Sequence, residues 1–102
     1  MLFMLRIDVR IPPEMPQADK DALRQRENSR AEQLIGEGVM VRIWRIVGCV
    51  ANFSLWEAPT LEALHEVVMS MPMFPYMTIE VTPLIAHPVT HLAEARNSRK
   101  AL

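Results

Sequence analysis

Apolar and polar residues alternate from the first positions of the chain. Phe3, Leu5, Ile7, Val9 and Ile11 fall on one side of an extended backbone, and Leu2, Met4, Arg6, Asp8 and Arg10 on the other. This period of two predicts a strand over residues 2–11. The run PPEMP then interrupts any regular element. From Pro16 to Gly36 the composition turns to Ala, Asp, Lys, Arg, Glu and Gln, which favour helix, and Gly36 and Gly38 supply its stop. VMVRIWRIV (39–47) and VANFSLWEA (50–58) are β-branched and aromatic and meet around Gly48, a hairpin pattern. Thr60 is placed to cap a second helix, LEALHEVVMSM, with Leu61, Leu64, Val68 and Met71 on one stripe.

The joint that follows is unusual. MSMPMFPYMTIEV (69–81) carries four methionines and two prolines ahead of a new alternation, with Met77, Ile79 and Val81 against Thr78, Glu80 and Thr82. A strand is predicted over residues 76–83. Pro72 and Pro75 rule out a regular helix through the joint, which is too apolar to stand in water uncovered. Residues 89–102 are expected to form a tail that starts extended at Pro88 and ends polar, basic and mobile.

The order β-α-β-β-α-β is the ferredoxin-like α+β arrangement, an antiparallel sheet with two helices on one face. The odd-numbered residues of strand one, with Ala51, Phe53 and Leu55, are assigned to the covered face. The opposite face then carries Arg6, Asp8, Arg10, Asn52, Ser54, Trp56, Tyr76, Thr78 and Glu80. Aromatics mixed with charges are typical of an interface, so association of copies through the sheets is expected.

Composition narrows the function classes. A chain of 102 residues is one domain, and a hydrophobic fraction of 50% is high for that size, which again favours burial between subunits. A net charge of −1 lacks the basic footprint of a nucleic-acid binder. The single Cys49 forms no internal disulfide and suits a reducing cytoplasm. Arg6, Asp8 and Arg10 break the apolar start, so neither a leader nor a membrane span is expected there.

One residue stands out on the wheel of the first helix. Leu23, Ala31 and Leu34 form the inward stripe, and Glu27 falls in its middle. A carboxylate there must be desolvated, paired or used in chemistry. Arg24 or Arg30 could bridge it as a structural ion pair. In the second strand Arg45 interrupts the set Val39, Val41, Ile43 and Val47. Glu27 lies about 14 Å from its helix end and Arg45 about 20 Å along its strand, so the two reach similar heights. A direct Glu27–Arg45 salt bridge and a base facing a cation across an anionic substrate are both compatible with that placement.

Other signals are weaker. His87 and His91 are four apart, but Pro88 stands between them and no metal site is assigned. His65 at the edge of the second helix reads as a hydrogen-bonded structural residue. Three glycines cannot build a phosphate loop, and Cys49 reads as a packing residue. The eight methionines are gap-fillers first.

MLFMLRIDVRIP (1–12), IWRIVGCVANFSLW (43–56) and MPMFPYMTIEVTPLIAHP (71–88) together resemble the muconolactone Δ-isomerase family over residues 1–88, most specifically in the FPYM-x-IEVTPL-x-x-HP run. The resemblance implies a ferredoxin-like fold, sheet-paired dimers assembled into a decamer, and a cofactor-free enzyme of bacterial catechol breakdown. It implies that Glu27 transfers the proton and that the substrate is a small anionic lactone. Arg45 is then expected to hold the substrate carboxylate, and Asn52, Tyr76 or backbone N–H groups to stabilise the oxyanion. Met73, Phe74 and Tyr76 would wall the site against water, and Trp44 and His65 complete the candidate substrate contacts.

The chain departs from the family pattern at Cys49 and Val50, usually more polar or aromatic, and over EGVMVRI (37–43), usually more basic and aromatic. Dechlorination of a 5-chloromuconolactone, in which the same deprotonation expels chloride, is the nearest alternative. Cofactor-free monooxygenases and haem-degrading proteins of this fold use Asn, Trp and His, types supplied here by Asn52, Trp44 and His65. A non-catalytic ligand-binding module is a further alternative.

Overall fold

The N-terminal alternation is realised as β1 (Leu2–Val9), followed by α1 (Gln17–Gly36), β2 (Met40–Arg45), β3 (Ala51–Glu57), α2 (Leu61–Met69), a 3₁₀ turn (Phe74–Tyr76), β4 (Met77–Leu84) and α3 (Pro88–Ala101). The structure, a computed structural model, describes the backbone of residues 1–101 and the side chains of residues 1–97. The four strands form one antiparallel sheet in the order β2-β3-β1-β4. That order and the βαββαβ body are ferredoxin-like, as the pattern predicts.

Local chemistry sets the element ends. Pro12 and Pro13 follow β1, although the Arg10 N–H still pairs with the Tyr76 carbonyl at 2.8 Å. The Thr60 hydroxyl accepts from the Ala63 N–H at 3.0 Å and caps α2. Gly48 at φ +83° turns the hairpin, a conformation that side-chain-bearing residues resist. Phe3, Leu5, Ile7, Leu34, Met40, Trp56, Leu64 and Val68 are buried together in the layer between sheet and helices.

The register reverses the face assignment expected for β3. Ser54 pairs with Leu5, Trp56 with Phe3 and Asn52 with Ile7, so these three lie on the helix-covered face. Phe53 pairs with Arg6 on the outer face, where it is 41% exposed, and Leu55 pairs with Met4 on the same side. Hydropathy misleads because Ser54 votes for the solvent side. Its hydroxyl is instead consumed internally, accepting the Trp56 indole N–H at 2.7 Å with both side chains fully buried. A slip of one residue moves every side chain to the other face.

The phase of β2 also changes within the strand. Met40 pairs with Trp56 but Arg42 with Leu55, so Val41 occupies a bulge. Ile43 and Arg45 thereby face the helix side, and Trp44 the outer side.

The C-terminal stretch corrects a further expectation. Pro88 opens a helix rather than an extended tail, since a proline at the first helical position loses no hydrogen bond. His87 caps it, its Nδ1 accepting the Val89 N–H at 3.1 Å. The expected mobility of the last residues concerns positions whose side chains lie outside the described residues.

The Ser54–Trp56 bond gives a stability test. Ser54→Ala leaves a buried indole N–H unpaired and is expected to destabilise by ~1–3 kcal/mol in urea unfolding. In a Trp56→Phe background the same change should be nearly neutral. Equal costs in both backgrounds would show that the bond contributes nothing to stability.

Candidate active site

Helix α1 buries Leu23, Glu27 and Leu34. Glu27 is 9% exposed, within the apolar stripe that packs towards the sheet. Its Oε1 accepts the backbone N–H of Met73 at 3.1 Å, and its Oε2 is buried with no hydrogen-bond partner. Burial pushes the carboxyl pKa up from its ordinary value, and the Met73 hydrogen bond opposes that rise.

The bridging arginines are engaged elsewhere. Arg24 approaches Asp21 at 3.8 Å, and Arg30 donates to Ser70 Oγ and Gln33 Oε1. Among the described residues no cation forms an ion pair with Glu27, and Arg45 is exposed at the end of β2. The structural salt bridges open to Glu27 at the level of sequence are therefore not made. A lone desolvated carboxylate with a free oxygen remains.

The sheet contributes a row on its helix-covered face. Register places Arg45, Asn52, Ile7 and Ile79 side by side across β2, β3, β1 and β4. Among the described residues Asn52 carries the other buried side-chain polar atom without a partner, its Oδ1. Two polar groups with unused hydrogen-bonding capacity thus face the helix–sheet layer from α1 and from β3. Such groups are costly unless a ligand or water meets them.

The remaining candidates are distributed differently. An apolar cleft of about 810 Å³ opens between α2, β1 and β4, lined among others by Leu5, Leu64, His65, Phe74, Met77 and Ile79. It contains His65 and Phe74 but not Glu27, Arg45 or Asn52. Tyr76 is half-buried in the 3₁₀ turn rather than in a strand. Trp44 lies on the opposite side of the sheet. It pairs with Phe53 on the outer face, with the Arg42 guanidinium 5.8 Å from its ring, and shares no site with Glu27.

The group that side-chain reasoning missed is the Met73 N–H. A backbone donor leaves no mark in a residue pattern, although the two prolines around it are a signal that few donors remain in the segment.

The family model described as muconolactone Δ-isomerase matches residues 1–90. The chain belongs to this family. Among its relatives is the muconolactone Δ-isomerase of Cupriavidus pinatubonensis, 42% identical over 88 residues, covering 86% of this chain and 96% of that one. The Pseudomonas aeruginosa muconolactone Δ-isomerase is 38% identical over 96 residues, covering 94% of this chain and 100% of the relative. A crystal structure of muconolactone isomerase superposes with a TM-score of 0.82 at 42% identity, over 86% of this chain and 92% of that one. Membership at this coverage extends over the whole βαββαβ body, including α1 with Glu27 and the joint that contacts it. Among the described residues, no helix is long and apolar enough to cross a membrane.

Proposed function

We propose that this chain isomerises muconolactone, with Glu27 carrying the proton. The observation behind the reading is the buried Glu27 carboxylate, with one oxygen held and the other free, and with no counter-cation among the described residues. A base that works near neutrality needs a pKa above that of a solvated carboxyl, and burial acts in that direction.

In this reading Glu27 removes the proton from the ring carbon that bears the carboxymethyl arm. The electron pair spreads through the ring double bond onto the lactone carbonyl oxygen. The same carboxyl then returns the proton to the carbon next to the carbonyl, and the product is the enol-lactone of 3-oxoadipate. The side-chain N–H groups of Asn52, whose Oδ1 is the unpartnered atom, are the candidate donors to the developing oxyanion, with Tyr76 a further one. Arg45, in the same cross-strand row as Asn52, holds the substrate carboxylate. Phe74 excludes water, and His65 lies at the rim of the adjoining cleft.

Residues 1–88 form the catalytic unit in this proposal and residues 89–102 an appendage. Copies pair through the outer sheet face, where Trp44 and Phe53 are 43% and 41% exposed beside Arg6 and Arg42, within the decamer implied by the family resemblance. The unpaired, exposed Cys49 thiol suits the cytoplasm. Sedimentation at micromolar concentration should give a mass several times 11.7 kDa, and a single species of that mass would remove the sheet-pairing reading.

Glu27→Gln keeps the shape and deletes the base, so turnover of muconolactone should fall at least about 100-fold with substrate Kd little changed. Retention of more than about a tenth of the rate would exclude Glu27 as the base. Because burial raises the carboxyl pKa, kcat/KM of the unaltered enzyme should decline as pH falls through a limb lying above the ordinary carboxylate range.

Arg45→Met should raise KM for the acid substrate while an ester of the arm is handled equally by both proteins, since a thioether cannot copy a bidentate guanidinium. An unchanged KM for the acid would remove Arg45 from the site.

A further inference from the structure

The joint between α2 and β4 has one free donor, and the full account of its backbone shows where that donor goes. Ser70 and Met71 donate to the Val67 and Val68 carbonyls and close the helix end. Phe74 donates to Met71 at 2.9 Å and Tyr76 to Met73 at 2.8 Å. Pro72 and Pro75 have no N–H to give. Of residues 70–76 only Met73 has an N–H not taken by the joint itself, and it points to Glu27 Oε1. Met73 sits at φ −85° and ψ 2°, the bridge region used at turns, and its side chain is buried. Its neighbour Phe74 lines the apolar cleft.

We infer that the segment Met71–Tyr76 is a one-donor clamp, in which the Met73 N–H fixes Oε1 of Glu27 and thereby assigns proton transfer to Oε2. The inference rests on Glu27 as the base. A carboxylate held by two donors would have both oxygens occupied, and one held by none would rotate within its cavity. A single donor orients the group and leaves one basic oxygen. The proton removed from the ring carbon is received on Oε2 and returned from Oε2, while Oε1 accepts the same N–H throughout. The two prolines ensure that no second amide of the joint competes for the carboxylate. Met73 is a positioning residue through its backbone, not through its thioether.

Among the described residues no charged group assists the clamp. Around Glu27, Arg24 and Arg30 of α1 are committed to other partners, Arg45 of β2 is exposed, and His65 and Glu66 of α2 line the cleft. Besides burial, the Met73 bond is the influence that sets the ionisation of Glu27.

The test is an amide-to-ester exchange at position 73, which deletes the N–H and keeps the side chain. The Gly48–Cys49 bond is a ligation point in an exposed turn, so residues 49–102 carrying the α-hydroxy analogue of methionine can be joined to residues 1–48. The Pro72 carbonyl, weakened by the exchange, accepts no backbone hydrogen bond among the described residues outside helices and strands. An all-amide protein assembled the same way is the reference. Since the N–H favours the ionised carboxyl, its loss should move the carbon-13 titration of the Glu27 carboxyl to higher pH. The acid limb of kcat/KM for muconolactone should move with it, and kcat on that limb should fall about tenfold with KM little altered. A Glu27 titration identical in ester and amide proteins would overturn the clamp. A titration that moves while the rate profile stays in place would overturn the base reading beneath it.

Discussion

A carboxylate held out of water by the packing of α1 on the sheet is the constraint around which the other features are arranged. Glu27 has neither a solvent shell nor an ion-pair partner among the described residues, and one backbone N–H is its hydrogen bond. The joint after α2 must deliver that N–H to a fixed point on a helix 46 residues earlier in the chain. This requirement accounts for the prolines, which stiffen the joint and remove competing donors. It also ties the buried carboxylate to an apolar wall, because the residue after the donor lines the cleft beside α2.

Much of the architecture was legible in the amino-acid pattern. Strict alternation located β1, and the Thr60 cap located the start of α2 to the residue. The helical wheel singled out Glu27 because a charge in a three-residue apolar stripe has few explanations. What the pattern misread has physical causes. Ser54 and Trp56 satisfy each other in the dry core, so a polar residue marks the buried side of β3 and averaging over hydropathy inverts the phase. The bulge at Val41 shifts the phase inside β2, and nothing in VMVRIW announces it. Met40, not Val39 or Val41, faces inward for that reason. Pro88 suggested an extended chain because a proline stops a helix from the middle and starts one from the end.

The candidate site was legible in residue types and not in their grouping. Arg45 keeps the inward side that the pattern gives it, and Asn52 stands next to it on the helix-covered face only because the phase of β3 is reversed. His65 and Phe74 collect in the cleft on the other side of the joint. Family membership covers both regions, while the geometry distinguishes a polar layer under α1 from an apolar space under α2.

Seating Glu27 in the core also has an evolutionary side. In the folded protein its carboxyl binds a proton more readily than in the unfolded chain, so its contribution to stability is fully present below the unfolded-state pKa and is lost as pH rises through the folded-state value. At neutral pH the fold therefore carries a penalty for possessing this residue. A population selected for heat resistance alone would drift towards neutral side chains at position 27, and a screen that measures only folding would register each such step as a gain. Persistence of an acid at that position under heat selection would be a record of selection on something other than the fold.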